Sequence, residues 1–323
     1  MILESILIIG FAVLLDLRFG DPKSKFHPTA WMGSLIAKLA PAARNQNDIV
    51  EKIGGMMIVS VTAGIVLTVT FGIVYGFSLI SDYFVSVVVS VIVGGILVKT
   101  TFAIRGMENH AKAVLDSLDA NKLENARDSL SMIVKRDTSK LDQNHVISGV
   151  LESISENTVD GITGPMFYYA LFGLPGAFVY RAVNTADSMI GYKTDLFKNI
   201  GWFAAKCDTI LNCIPSRLTG FMMIIAAALL QNNWKESYKT MVRDGCKTES
   251  PNAGYPMAAL AGALGTKFEK IDHYQLGNGE IPLSKQHVHS AISLMKITSL
   301  LFFGIIVIPI ITILSMLGWW IHA

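Results

Sequence analysis

The chain has 323 residues, 51% of them hydrophobic and 16% charged, with a formal net charge of +2 and a mean hydropathy of +0.46. Soluble globular chains carry about 25% charged residues, so an ordinary soluble enzyme, a disordered chain and a fibrous repeat are excluded. The near-neutral balance also argues against a nucleic-acid partner, whose binders carry a strongly basic footprint.

Ile2–Leu15 is apolar but short and contains Glu4. It has no basic leader and no small-residue cleavage site before Asp16, so it is expected to be retained and membrane-embedded. Asp16, Gly20-Asp21-Pro22 and His27-Pro28 mark its exit, with His27 reading as structural. Ile53–Ile80 is uncharged and exceeds the roughly 20 residues that a helix needs to span a bilayer. Tyr83–Val98 follows after only Ser81 and Asp82, which predicts a helical hairpin with Lys99 snorkelling to the interface. Arg18, Lys23, Lys25, Lys38, Arg44 and Lys52 precede this hairpin. Arg105, Lys112, Lys122, Arg127, Lys135, Arg136 and Lys140 follow it. The positive-inside rule then places both flanks in the cytoplasm and the Ser81–Asp82 tip outside.

Arg105–Asp160 is polar and helical. Met107, Ala111, Val114, Leu115 and Leu118 share one face, and Leu123, Ala126, Leu130 and Ile133 share another, which predicts a helical hairpin outside the membrane turning at Asp119–Asn121. Ser131–Asp142 leaves Lys135, Arg136, Asp137 and Thr138 between helices. Arg and Lys there suit phosphate oxygens, and Asp137 or Thr138 suits a helix cap or a metal. From Asp142 to Asp160, Glu152, Glu156 and Asp160 recur every four residues on the polar face of one helix. They read either as a solvated acidic face or as a magnesium site, since hard divalent ions take carboxylate oxygens together with substrate phosphates.

Ile162–Tyr180 is uncharged but interrupted by Gly164, Pro165, Gly173, Pro175 and Gly176, which predicts a kinked or re-entrant segment. Arg181, Asn184, Asp187 and Ser188 follow it, and charge placed against a membrane segment favours function. Asp208, Asn212 and Arg217 interrupt the apolar tract around Thr209–Gln231 in the same way. Cys207, Cys213 and Cys246 lack metal or disulfide spacing and read as buried small hydrophobes. Asn232–Ser290 is rich in turn residues, among them Ser250-Pro-Asn-Ala-Gly-Tyr-Pro256 with Asn252, and is expected to be largely loop. Ile297–Trp320 is the last span, with Trp319, Trp320 and His322 in an interfacial belt. The fold class is an all-α integral membrane protein: a multi-pass helical bundle in one domain over residues 1–323, with broken or re-entrant segments and a cytoplasmic helical block over residues 105–160. P-loop, G-x-S-x-G and H-E-x-x-H motifs do not occur.

DLRFGDP with His27-Pro28 and Gly33, LSMIVKRDTSKLD (Leu130–Asp142), ESISENTVDGITGPMFYYALFGLPGA (Glu152–Ala177), YRAVNTADSMIGY (Tyr180–Tyr192), GWFAAKCDTILNCIPSRL (Gly201–Leu218) and SPNAGYPMAALAGALG (Ser250–Gly265) occur in this order. Together they resemble the CobD/CbiB family of cobalamin biosynthesis, the adenosylcobinamide-phosphate synthases. The resemblance implies ATP- and magnesium-dependent joining of a propionate carboxyl of adenosylcobyric acid to the amine of (R)-1-aminopropan-2-ol O-phosphate or ethanolamine phosphate, at the cytoplasmic face of the cell membrane. A carboxylate is a poor acyl donor, so activation by phosphorylation calls for metal, phosphate-holding cations and a base. On that basis Glu152, Glu156 and Asp160 are expected to hold magnesium. Arg136 and Arg181 would hold phosphate alongside Asp137 and Thr138, Asp187 would act as base or second metal ligand, and Asn157, Asn184 and Asn252 would orient substrate. Glu156, Asp187 and Arg181 form the expected catalytic set. Phe167, Tyr168, Tyr169 and Trp202 are expected to line a corrinoid cavity. The rival reading is a transporter or corrinoid-binding membrane module using the same charges without bond formation.

Overall fold

A computed structural model of the chain describes residues 2–22, 24–134, 136–192, 194, 196–270, 273–279 and 284–319; Lys23, Lys135, Trp320 and His322 lie outside the described residues. In chain order the helices are α1 (Ile2–Phe19), α2 (Pro28–Leu39), α3 (Asp48–Ser78), α4 (Tyr83–Val89), α5 (Gly95–Lys99), α6 (Ile104–Asp119), α7 (Leu123–Ser131) and α8 (Gln143–Thr158). They continue as α9 (Gly164–Ile190), α10 (Trp202–Leu211), α11 (Cys213–Leu229), α12 (Trp234–Asp244), α13 (Gly254–Leu264), α14 (Lys285–Leu301) and α15 (Ile308–Met316). Between α13 and α14 in sequence lies an antiparallel pair, β1 (Phe268–Lys270) and β2 (Tyr274–Leu276), in register Phe268↔Leu276 and Lys270↔Tyr274. Single π-helical turns at Ser90–Gly94, Val159–Thr163 and Phe302–Val307 join neighbouring helices.

Among the described residues four helical runs are long and apolar enough to cross a membrane: Asp48–Ser78, Tyr83–Asp119, Gln143–Ile190 and Lys285–Met316. The pair α10 and α11, bent by 46°, makes a fifth if it counts as one span. The protein is an all-α membrane protein. Helix α1 carries Glu4, Asp16 and Arg18 and is not one of these runs.

Where the sequence reading treats the chain as one domain, packing divides it into two compact units. The first comprises residues 1–103, 164–211 and 306–323, and the second residues 104–163 and 212–305.

In the first unit α2, α3, α9 and α10 pack around Ile36, Ile58, Val59, Val183, Ala186, Ile190, Ile200 and Ala204. Lipid removes the hydrophobic drive between helices, so close van der Waals approach does this work. Gly55 supplies it: a Cβ there would collide with the backbone of Ile200. Helix α9 is broken at Phe172 and Gly173, the latter at φ 61° and ψ −152°. Pro175 has no N–H to offer the carbonyl of Leu171, and the indole Nε1 of Trp319 donates to that carbonyl instead, at 2.8 Å. Lys99 does not snorkel. It is 6% exposed, with Nζ 2.5 Å from Asp21 and 3.4 Å from the fully buried Asp16. Burial pushes the Asp21 carboxyl up, but His27 and Lys99 outweigh it and hold the group below its ordinary value. His27 caps α2, its Nδ1 accepting from the N–H of Thr29 at 3.3 Å, with Pro28 at the first helical position.

In the second unit the stripe Met107, Ala111, Val114, Leu115 and Leu118 of α6 is buried as the periodicity predicts, as are Ala126 and Leu130 of α7. Helix α8 departs from expectation. Most of it is buried, including Ser148, Glu152, Ser153 and Ser155, so it has no continuous solvated acidic face. Its cap is Asp142, which accepts the N–H of His145 at 2.9 Å, rather than Asp137 or Thr138. The block from residue 232 to 290 is not largely loop. It holds α12, α13 and the β-hairpin. The small residues Ala258, Ala259, Ala261 and Gly262 let α13 lie directly on α12, with Gly262 against the backbone of Glu236 and Ser237, and Ser237 Oγ donating to the carbonyl of Ala259 at 2.8 Å.

Candidate functional site

Two clusters of predicted residues assemble, one in each unit. In the second unit the first part is built on α8. Glu152 is 6% exposed, and both its carboxylate oxygens are engaged. Oε1 accepts from Arg136 Nη2 at 3.2 Å and Ser148 Oγ at 2.9 Å, and Oε2 accepts from the Tyr274 hydroxyl at 2.8 Å. Gly149 makes room for the guanidinium, since a Cβ there would meet Arg136 Nη2 and Leu130. Burial, and then the Glu152 charge, push the Tyr274 phenol up, so it stays a proton donor. Arg136 keeps a buried Nε without a hydrogen-bond partner among the described residues. Asp137 and Thr138 shape the turn. Asp137 accepts from the N–H of Ser139 at 2.9 Å, a bond that lowers its pKa, and Thr138 Oγ1 donates to the carbonyl of Arg127 at 3.0 Å.

Glu156 is exposed one turn beyond Glu152. Asp160 lies in the π-helical turn and accepts from Asn212 Nδ2 at 3.1 Å. Asn157 donates to Ser153, at 2.9 Å to its carbonyl and 3.2 Å to its hydroxyl. Thr163 and Thr219 share a hydrogen bond of 2.6 Å, tying this turn to α11. Two residues earlier on α11, Arg217 Nη1 donates to Asn252 Oδ1 at 3.2 Å. Stretches that the sequence separates by 52 and 35 residues are thus joined in one polar seam.

In the first unit the second half of α9 presents Arg181, Asn184, Asp187 and Ser188. Arg181 Nη1 donates to Asn184 Oδ1 at 3.3 Å, and Asn184 Nδ2 donates to Asp208 Oδ1 of α10 at 3.1 Å. Asn184 is buried, whereas Asp187 and Ser188 are half-buried. Gly191 packs on Asp187 so closely that a Cβ would strike its carboxylate.

Among the described residues no three His, Cys, Asp or Glu side chains gather in a metal-binding group, so Glu152, Glu156 and Asp160 do not form a three-carboxylate cage. Glu156 and Asp160 still fit the sparser demand of magnesium for one or two carboxylates completed by substrate phosphates. The expected corrinoid lining is largely interior packing. Phe167 and Tyr169 are buried, the Tyr169 hydroxyl donates to the carbonyl of Ser5 at 3.0 Å, and Tyr168 stacks on Tyr180 at 5.2 Å. Trp202 is 46% exposed beside Phe203. The cysteines are free and none is buried: Cys213 and Cys246 are exposed and Cys207 is intermediate.

Sequence reasoning missed Ser148 and Tyr274, the partners of Glu152. Ser148 lies one turn before Glu152 and was findable from spacing, whereas Tyr274 arrives from 122 residues away and leaves no local signal.

The chain matches the family model described as CobD/Cbib protein over residues 9–298. It is 38% identical over 300 residues to the probable cobalamin biosynthesis protein CobD of Methanothermobacter thermautotrophicus, covering 93% of this chain and 96% of that protein. It is 40% identical over 267 residues to the cobalamin biosynthesis protein CobD of Geobacter metallireducens, with 83% and 82% covered. Against the cobalamin biosynthesis protein CobD of Dehalococcoides mccartyi the identity is 34% over 294 residues, with 91% and 94% covered. No solved structure matches the chain.

Proposed function

The chain belongs to the CobD/CbiB family, and from that premise we propose that it acts in cobalamin biosynthesis as an adenosylcobinamide-phosphate synthase. The proposed reaction joins adenosylcobyric acid to (R)-1-aminopropan-2-ol O-phosphate, or to ethanolamine phosphate, through an amide bond. The observation that carries the reading is the polar seam of the second unit. Family motifs far apart in sequence meet there in two direct hydrogen bonds, Asn212 with Asp160 and Arg217 with Asn252.

Magnesium and ATP, when bound, supply the activation that turns a carboxylate oxygen into a leaving group. Glu156 and Asp160 are the residues proposed to hold the metal. Glu152 is assigned a different task, fixing Arg136 so that its remaining N–H edge can meet a phosphate. Asp187, half-buried and backed by Gly191, is proposed as the base that takes a proton from the substrate ammonium group, freeing the amine to attack. Asn184, held between Arg181 and Asp208, is oriented to bind rather than to transfer a proton. Asn157 and Asn252 are assigned to substrate orientation.

The test is to incubate the purified full-length protein with adenosylcobyric acid, ATP, magnesium and aminopropanol phosphate. Formation of adenosylcobinamide phosphate, lost in Asp187→Asn and Glu156→Gln variants that fold normally, is the expected result. Binding of corrinoid without amide formation would favour a transporter or binding module.

A further inference from the structure

The reading above gives Arg217 no ligand of its own. Arg217, on the second turn of α11, is half-buried in a stretch that is otherwise apolar. Its Nη1 donates to the Cys213 carbonyl at 2.5 Å and to Asn252 Oδ1 at 3.2 Å, with Ser216 Oγ at 3.4 Å. Its Cζ stands 4.4 Å from the centroid of the Tyr255 ring. All of these neighbours are neutral. Among the described residues no Asp or Glu pairs with Arg217, whereas Arg44, Arg127, Arg136 and Arg243 each have a carboxylate partner. A partly buried guanidinium without a counter-charge is costly, and a cation–π contact returns only part of that cost. The protein spends one nitrogen on holding the group in place. Those three bonds all leave from Nη1, so they do not use Nη2 and Nε, the edge that fits two oxygens of one anion. Stacking on Tyr255 fixes the plane of that edge, so little entropy is lost on binding.

We propose that Arg217, planted by Tyr255 and Asn252, is a binding site for a phosphate monoester, taken bidentately on its Nη2–Nε edge. A dianion balances the uncompensated charge more fully than a carboxylate, and the fork matches two of its oxygens. Which ester fills the site rests on the ligase reading, where it is the aminoalcohol phosphate. The site itself rests only on the geometry of the second unit.

The test uses purified full-length protein and direct binding by calorimetry and thermal shift, with no turnover. The probes are O-phosphoethanolamine, with ethanolamine and acetate as controls, and vesicles of phosphatidic acid against phosphatidylcholine as the lipid arm. Phosphoethanolamine is expected to bind and the controls to bind at least tenfold more weakly. Arg217→Gln should weaken phosphate binding ten- to a hundredfold, as loss of a charge-assisted pair implies. Arg217→Lys, which keeps the charge and loses the fork, should fall several-fold, and Tyr255→Phe, which keeps the ring, should stay within twofold. Arg217→Gln or Arg217→Lys binding as tightly as the parent, or phosphoethanolamine and phosphatidic acid binding no better than their controls, would overturn the site. Phosphatidic acid binding alone, abolished by Arg217→Gln, keeps the phosphate site and identifies the ester as a lipid headgroup. Phosphoethanolamine binding without any amide formation from the corrinoid acid would sink the ligase reading and leave this site standing.

Discussion

Two carboxylates one turn apart on α8 have opposite surroundings, and their chemistry follows from that. Glu152 is buried with both oxygens on Arg136, Ser148 and Tyr274, while Glu156 is exposed. Removing one partner of a buried ion pair strands the other, at a cost of about 3–5 kcal/mol. Glu152→Ala should therefore lower stability by about 3 kcal/mol in reversible unfolding in detergent and leave the magnesium dependence of any remaining activity unchanged. Glu156→Gln should do the reverse, shifting stability by no more than about 0.5 kcal/mol, as exposed substitutions do, while amide formation falls at least tenfold and the magnesium midpoint rises. Exchanged outcomes would hand the metal to Glu152. The four-residue spacing made these side chains legible as one stripe. It could not show that a hairpin more than a hundred residues later covers the first of them, because burial by a distant segment leaves no trace in helical periodicity.

Elements were most legible where local chemistry dominates. The uncharged runs became α3, α4 and the C-terminal helices, and the buried stripes of α6 and α7 fell where a 3.6-residue period puts them. The break in α9 was legible from Gly173 and Pro175, but its repair by Trp319 was not. Gly173 sits at φ 61° and ψ −152°, a region open essentially to glycine alone. Gly173→Ala should cost about 1–3 kcal/mol, and Trp319→Phe, which orphans the Leu171 carbonyl, about 1–3 kcal/mol, both measurable as lowered unfolding midpoints. The block after α11 is not legible as helical, because its turn residues are real but sit between short helices packed on alanine and glycine. Asp244 at the end of α12 staples that block. It receives Arg243 at 2.5 Å, Lys247 at 2.6 Å and the N–H of Gly277 at 2.9 Å. Burial alone would raise its pKa, but these partners hold it well below the usual carboxylate range. A depressed folded-state pKa stabilises the fold above the unfolded value of about 3.9, and that contribution fades as pH falls through the folded value. Asp244→Asn should unfold more easily at pH 7 and lose less on acidification from pH 5 to pH 3, read as a flatter plot of unfolding midpoint against pH.

For the molecule as a whole, the direction in which the spans point is a prediction that the α3–α4 connection lets an experiment test. Leu79–Asp82 reverses the chain at an exposed tip, where Asp82 caps α4 by accepting the N–H of Val85 at 2.9 Å and Ser86 Oγ donates to the carbonyl of Phe77 at 3.0 Å. Tyr83 and Phe84 are 72% and 76% exposed beside it, as aromatic side chains at a membrane–water boundary would be. The tip has no basic residue, and the sequence on both sides of the hairpin is rich in them. Positive charge resists translocation, so the positive-inside rule predicts flanks in the cytoplasm and a tip outside. Exposed Cys213 and Cys246 would obscure a labelling experiment, so Cys207, Cys213 and Cys246 are first replaced by serine. In that background Ser81→Cys should react in intact cells with a maleimide that cannot cross the membrane. Ala120→Cys, at the exposed turn between α6 and α7, should react only after permeabilisation. The opposite pattern would invert the topology and move the proposed phosphate and carboxylate chemistry away from the compartment that supplies ATP.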